Sequence, residues 1–382
     1  MRDAGASIDD RGTRSPRPQA ERRRRLVGLG LLLLVALTAR IAVFALGSDQ
    51  PTGDERSYRE LATNIAAGSG FAREGELETH IAPLFPLLHA LPVALGVDAH
   101  WAGRALGLLT SALAAPLLAW ALGPLVGWRW SLAGGFFVAL HPRLLVTAER
   151  MQPEALAAAL LLLFGGWWIR DRPWGVALAA VLAYLTRPEA FMLLPLAGIL
   201  ALTNRAQPRR RWIAPIVVAL LFALPYLLHL RQATGHWTVT GKAGWVYALG
   251  VAEAQEGNEP IAIEDLRQVE ADVQSPWEHA WSRPGDFARG YARRLGLGLG
   301  YLGAAASWSV LVLGLLGLGV MARNRLRVGG LLIPLALLLI IPIGVVHARH
   351  VLPYLPVLVG AAIGGLAWLV GRVGTVERTM VA

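Results

Sequence analysis

Side chains that can take a proton or hold an anion are scarce in this chain, and they gather at a few places. The first is Gly53-Asp-Glu-Arg-Ser-Tyr58, where Asp54 and Glu55 stand side by side, one turn before Tyr58. After it come His80, Arg104, Glu149 and Glu154, then Thr186-Arg-Pro-Glu189, Lys242 within Thr240-Gly-Lys-Ala-Gly244, and His347-Ala-Arg-His350. Carboxylates in that company can accept a proton from a hydroxyl, and the cations can hold a negative group. The combination fits an anionic, hydroxyl-bearing substrate.

Each of these residues also has a plainer reading. Asp54 and Glu55 in a first helical turn complement the helix dipole. Arg104 can snorkel to lipid headgroups. Glu149 and Arg150 read as a solvated turn, and Glu154, after Pro153, favours a helix N-terminus. Arg187 lies between two short apolar stretches and before a proline, where the backbone is exposed at membrane depth, so it fits a structural role or phosphate binding. Lys242 is the single lysine in a chain that otherwise uses arginine, which points to a need for a compact ammonium. The histidines at 80, 347 and 350 match no metal-ligand spacing, so no cofactor is expected and a divalent metal is not indicated.

The elements that must position these residues are membrane helices. Of 382 residues, 55% are hydrophobic and 16% charged, against about 25% charged in a soluble domain. There is no cysteine, which excludes disulfides, thiolate metal sites and cysteine nucleophiles. The net charge of +10 comes from arginines clustered at the ends of apolar runs, the orientation signal of a membrane protein rather than a nucleic-acid footprint. Residues 1–25 read as a disordered basic cytoplasmic tail and not a cleaved signal peptide. The first span is 26–47, with Arg40 deep enough to be costly unless it faces protein or water. Further spans fall near 101–126, 130–147, 154–169, 174–187, 189–203, 212–230, 295–320, 328–346 and 351–370, and 373–382 forms a second cytoplasmic tail. The apolar stretch 83–96, interrupted by prolines, reads as interfacial or re-entrant. With that assignment Arg129, Arg170, Arg172, Arg205, Arg209, Arg210, Arg211, Arg323, Arg325, Arg327, Arg372 and Arg378 all fall on the cytoplasmic side. The fold class is therefore all-α, a polytopic bundle of about ten spans with both termini inside. Two outer loops, 48–100 and 231–294, carry juxtamembrane helices, including one over 261–273. Thr52 and Glu55 at capping-box spacing start the first of these, with Tyr58, Leu61, Ala62 and Ile65 along one face. No soluble catalytic domain and no nucleotide-phosphate loop is present, so any chemistry belongs to the outer surface of the plasma (inner) membrane.

The order of these landmarks resembles the GT-C class of membrane glycosyltransferases, in the branch of the protein O-mannosyltransferases and bacterial aminoarabinose transferases (glycosyltransferase family 39-like). The matching residues are Arg40 in the first span, Asp54-Glu55 with Tyr58, His80-Ile-Ala-Pro-Leu84, and Arg104 opening the next span. Leu140-His-Pro142, Pro153-Glu-Ala-Leu156, Leu185-Thr-Arg-Pro-Glu189 and Arg349-His-Val-Leu-Pro-Tyr-Leu-Pro356 follow, so the resemblance covers roughly residues 26–370. His80-Ile-Ala-Pro has one proline where relatives often have two, and His350 stands where tyrosine is common.

The resemblance implies a polyprenyl-phosphate sugar donor, a lipid, glycan or protein hydroxyl acceptor on the extracytoplasmic side, and an inverting displacement. Asp54 is then the general base, with Glu55 orienting it or the acceptor. Arg349, Arg187, Lys242 and Arg104 hold the donor phosphate, and Tyr58, His80, Glu154 and His350 contact substrate. Membrane lipids are the only other partners expected. The competing reading is a lipid or solute transporter or flippase of the cell envelope, against which stands the concentration of charge at one end of the bundle.

Overall fold

A computed structural model describes residues 18–46, 53–146, 148, 150–203, 210–244, 246–249, 276–321, 325–343 and 347–380. The described residues are mostly helical, with one hairpin of two-residue strands among them, as a polytopic helical bundle requires. The order is α1 (Pro18–Leu46), α2 (Gly53–Ala66), β1 (Ala72–Arg73), β2 (Glu76–Leu77), α3 (Leu84–Ala94), α4 (Ala99–Val126), α5 (Trp128–Leu140), α6 (Pro142–Val146), α7 (Glu154–Ile169) and α8 (Pro173–Tyr184). A 3-10 turn (Pro188–Met192) leads into α9 (Leu193–Thr203) and α10 (Arg210–Thr234). Then come α11 (Pro276–Ser282), α12 (Pro284–Ala306), α13 (Trp308–Met321), α14 (Arg325–Ala336), α15 (Ala348–Val351) and α16 (Leu355–Met380).

The described residues contain four continuous helices long and apolar enough to cross a membrane: Gln19–Leu46, Ala99–Val126, Arg211–Thr234 and Ala348–Gly371. Other expected spans coincide with shorter apolar helices. The 16 residues of α7 reach only about 24 Å, less than a hydrocarbon core of about 30 Å. The stretch 295–320 is not one straight helix, because α12 and α13 meet at 104°. Ser307 makes that corner with a φ of 68°, a left-handed conformation that nothing in its residue type announces. Similarly 130–147 breaks at His141, whose extended backbone separates α5 from α6. The stretch 328–346 finishes in 3-10 turns at Leu337–Leu339 and Ile341–Ile343. The N-terminal boundary also differs from expectation: helix α1 already runs from Pro18, with Glu21 and Arg25 paired one turn apart. Residues 1–17 and the expected helix at 261–273 lie outside the described residues.

Local chemistry explains most boundaries. Asp98 caps α4, its carboxylate accepting from the backbone N–H of His100 at 3.0 Å and Trp101 at 3.2 Å. Prolines open α8 and α12, where a missing N–H costs nothing. Helix α4 packs on α1, α5 and α7, while α13 packs on α16. That last contact is backbone to backbone: a Cβ on Gly317 would lie 1.9 Å from the carbonyl oxygen of Ala361. Arg40 faces protein, as its position demands. It is fully buried and donates to Ser111 Oγ at 2.8 Å and to the carbonyls of Ala139 at 2.9 Å and Ala36 at 3.1 Å. Its cost in the apolar run is offset by those bonds, which tie α1 to α4 and α5.

Candidate active site

Helix α2 decides what its two adjacent carboxylates can reach. Successive residues on a helix point about 100° apart, so Asp54 and Glu55 cannot share a face. Glu55 turns inward, 7% exposed, and accepts the backbone N–H of Met151 at 3.2 Å, which fixes the segment leading to α7. Asp54 stays half-exposed and pairs through Oδ2 with Arg349 Nη1 at 2.5 Å, across 295 positions of sequence. Tyr58 follows Asp54 by four residues and lies over the same face, packed edge-on against Phe85 with ring centroids 5.2 Å apart. Burial, then the charges of Glu154 and Asp54, push its phenol well above the ordinary value, so it remains a neutral hydrogen-bond donor.

The segment after α2 is strapped down by a small network. Arg73 in the hairpin donates to Glu78 Oε2 at 2.9 Å and to Ser57 Oγ at 3.0 Å. Glu78 Oε1 in turn accepts the N–H of His80 at 2.6 Å, and the Glu78 carbonyl meets His229 Nε2 at 2.7 Å. That holds the half-exposed His80 ring at a cavity rim. The backbone N–H of Gly241 donates to the Thr79 carbonyl at 3.0 Å, and a Cβ on Gly241 would meet the Thr79 side chain at 2.4 Å. Only glycine permits that approach, and it delivers the next residue, Lys242, to the same cavity. Burial pulls the Lys242 ammonium below its ordinary value, Arg187 adds to the effect, and Glu189 and Glu154 oppose it.

The cavity has a volume of about 580 Å³ and collects Asp54, Tyr58, His80, Glu154, Arg187, Lys242, Arg349 and His350. Eight of the ten residues given site roles from the sequence thus line one cavity. Arg187 sits between two carboxylates, with Nε 2.5 Å from Glu189 and Nη1 3.2 Å from Glu154. The second oxygen of Glu154 is buried and has no hydrogen-bond partner among the described residues. Val246, Leu249, Ile340, Ile341 and Ile343 make one wall apolar. A smaller cavity of about 420 Å³ lies beside it, with Arg143, Arg150 and Gln152 in its wall. Asp54, Glu154 and Arg349 line both, so the Asp54–Arg349 pair stands where the two cavities meet.

Two expected site residues lie elsewhere. Glu55 lines neither cavity, and Arg104 is 2% exposed with its guanidinium 4.4 Å above the Phe44 ring. Glu149 lies outside the described residues. Arg73, Glu189 and His347 line the larger cavity and were not given roles from the sequence. Glu189 had a signal, since it closes the motif that contains Arg187. Arg73 had none, because it sits in a polar hairpin that reads as solvated surface. Among the described residues no group of three or more His, Asp or Glu is placed to hold a metal ion.

No family model matches the chain, and no curated protein matches it in sequence. Solved structures do. ArnT, an aminoarabinose transferase, from Cupriavidus metallidurans superposes with a TM-score of 0.54 at 14% identity, covering 91% of this chain and 60% of that one. The same protein bound to undecaprenyl phosphate also gives 0.54, at 13% identity, covering 90% of this chain and 59% of that one. The archaeal oligosaccharyltransferase AglB from Archaeoglobus fulgidus, in complex with an inhibitory peptide and a dolichol-phosphate, gives 0.56 at 14% identity. There the match covers 94% of this chain and 52% of AglB. The chain therefore spans between about half and three-fifths of the length of the structures it matches. Its apolar helices and these neighbours make it a multi-pass membrane protein with the fold of the GT-C class of membrane glycosyltransferases.

Proposed function

We propose that this protein is an integral-membrane glycosyltransferase that moves a sugar from a polyprenyl-phosphate donor to a hydroxyl acceptor on the extracytoplasmic side. One observation carries the reading: a carboxylate able to take a proton, Asp54, touches a guanidinium able to take a phosphate, Arg349, at the junction of two cavities. Two substrates that must meet at one bond need such a junction. That two fold neighbours were solved with a polyprenyl-type phosphate bound supports the choice of donor.

The geometry supports the following steps. The acceptor oxygen attacks the anomeric carbon while the bond from that carbon to the phosphate oxygen breaks. The hydroxyl proton passes to Asp54, and the electron pair leaves with the polyprenyl phosphate. Asp54 Oδ1 carries no hydrogen bond among the described residues, so it can accept the proton while Oδ2 stays on Arg349. Charge grows on the departing phosphate, where Arg349, Lys242 and Arg187 stabilise it more than they stabilise the bound donor. A single displacement inverts the anomeric centre. Tyr58, His80, His350 and the free oxygen of Glu154 are placed to bind sugar hydroxyls, and the apolar wall fits the first isoprene units. Glu55 acts at one remove, by holding the 150–154 segment that carries Glu154. Arg104, stacked on Phe44, takes no part. The sidedness rests on charge: Arg170, Arg172 and Arg211 lie at the opposite end of α7 and its neighbours from Glu154.

The test uses the purified full chain in nanodiscs with a panel of radiolabelled polyprenyl-phosphate sugars and an envelope extract as acceptor. A transferase releases polyprenyl phosphate and labels an acceptor. Intact donor throughout, with donor moved across a proteoliposome bilayer, would establish the transporter reading instead.

A further inference from the structure

The charges lining the two cavities do not balance in the same way, and the difference says what the second substrate carries. In the larger cavity every arginine already has a carboxylate. Arg73 pairs with Glu78, Arg187 with Glu154 and Glu189, and Arg349 with Asp54. The remaining cation is Lys242, which has no carboxylate within ion-pair distance among the described residues. Its charge offsets the second carboxylate on Arg187, so this cavity is close to neutral, with one buried ammonium left free of direct ion pairing to turn toward the phosphate of the proposed donor.

The smaller cavity has a surplus of cations. Its cations are Arg143, Arg150 and Arg349, and only Arg349 has a carboxylate partner among the described residues. Arg143 and Arg150 are exposed on an otherwise fixed platform. Arg150 is held at its backbone, since a Cβ on Gly107 of α4 would sit 2.5 Å from the Arg150 carbonyl oxygen, and the next N–H, of Met151, is bound by Glu55. Arg143 rises from α6, whose Leu144 carbonyl accepts Ser111 Oγ at 3.1 Å, and Ser111 is itself bonded to the buried Arg40. Two guanidinium groups with no carboxylate partner among the described residues, set on fixed backbone in the wall of one cavity that Asp54 also lines, offer donors to an oxyanion. Val146, Ala155 and Leu352 supply the apolar remainder of the lining.

We propose that the smaller cavity is the acceptor subsite and that it selects an acceptor carrying a phosphate or carboxylate close to its reacting hydroxyl. Arg143 and Arg150 hold the anion, and the hydroxyl then lies against Asp54 at the shared wall. The proposal rests on the transferase reading for the word acceptor, but the anion site itself does not.

The experiment separates the two. The full chain in phosphatidylcholine nanodiscs is titrated with glycerol 3-phosphate, a soluble hydroxyl-bearing phosphate, and, in a second arm, with phosphatidylglycerol as its lipid-borne counterpart. Retention of undecaprenyl phosphate is measured in parallel. Arg143→Ala/Arg150→Ala is expected to weaken whichever anion binds by about 10- to 100-fold and to leave undecaprenyl phosphate retention unchanged. Arg143→Lys/Arg150→Lys should fall between, and Lys242→Ala should show the opposite pattern. Binding in the first arm alone identifies a soluble anion, in the second a lipid headgroup, and either supports the site. The proposal is overturned if neither probe binds at millimolar concentration, if parent and variant bind alike, or if the double variant loses undecaprenyl phosphate instead. Should anion binding follow the arginines while no sugar donor is ever cleaved, the subsite stands and the transferase reading falls.

Discussion

Replacing Arg187 by methionine removes one cation from between two carboxylates and keeps the side chain's length. The triad is mostly enclosed, with side-chain exposures of 13% for Arg187, 7% for Glu154 and 15% for Glu189. Two unit charges about 4 Å apart attract by about 4 kcal/mol at an effective dielectric constant of about 20, so the two pairs amount to about 8 kcal/mol before desolvation is subtracted. Breaking a buried pair by deleting one partner costs about 3–5 kcal/mol, because the other charge is left without compensation. Arg187→Met should therefore destabilise the fold by that amount. Adding Glu154→Gln and Glu189→Gln removes the orphaned charges and should return most of the loss. Undecaprenyl phosphate binding should nevertheless stay weak in the triple variant, since the phosphate has still lost a cation. The assay is unfolding in a titration of denaturing detergent, with lipid-phosphate binding measured on folded protein. If Arg187→Met lies within about 0.5 kcal/mol of the parent, a surface-pair magnitude, the triad is not the buried, energetically coupled unit described.

Three further outcomes follow from the same structure. The lowered Lys242 ammonium loses its proton below the usual 10.5, so polyprenyl phosphate affinity should fall as pH rises toward that value, and Lys242→Arg should abolish the fall; a pH series of binding constants checks it. Gly241→Ala drives a methyl group into Thr79, costs about 1–3 kcal/mol of overpacking, and should weaken donor binding although no charged group is touched, as read by undecaprenyl phosphate retention. A single cysteine introduced at Glu74 should react with an impermeant thiol reagent from the extracytoplasmic side, and a cysteine replacing Arg172 only after the membrane is opened; reversed labelling would invert the topology.

Much of this site is readable in the sequence because ionisable residues are expensive in and near a bilayer, so those present stand out. Asp54, Arg187, Lys242 and Arg349 lie far apart along the chain and still point to one face once arginine clusters assign the sides. What the sequence hides is direction. Asp54 and Glu55 are equivalent acids on paper, yet one turn geometry sends the first to a cavity and the second under Met151. Arg104 opens a span just as an anion-binding arginine would, and nothing in the sequence places its guanidinium over the Phe44 ring, away from the two cavities. The corner at Ser307 is invisible for a related reason: an uninterrupted apolar run carries no sign that a serine within it adopts a left-handed backbone. Arg150 reads as part of a solvated turn because nothing in the sequence shows its carbonyl packed against Gly107.

The central claim is that Asp54 accepts the acceptor's proton, and the most direct measurement is sugar transfer per folded molecule by Asp54→Asn. The substitution keeps the size of the side chain and removes the base. The ion pair it breaks is half-exposed, 50% at Asp54 and 39% at Arg349, and is worth at most about 1 kcal/mol, so the variant should fold. General-base catalysis contributes about 10²–10⁴-fold, and transfer by Asp54→Asn should fall by that factor with undecaprenyl phosphate binding retained, whereas Glu55→Gln, altered where it holds Met151, should keep most of its activity. Near-parental transfer by folded Asp54→Asn would contradict the account, because Asp54 would then be only a surface partner of Arg349.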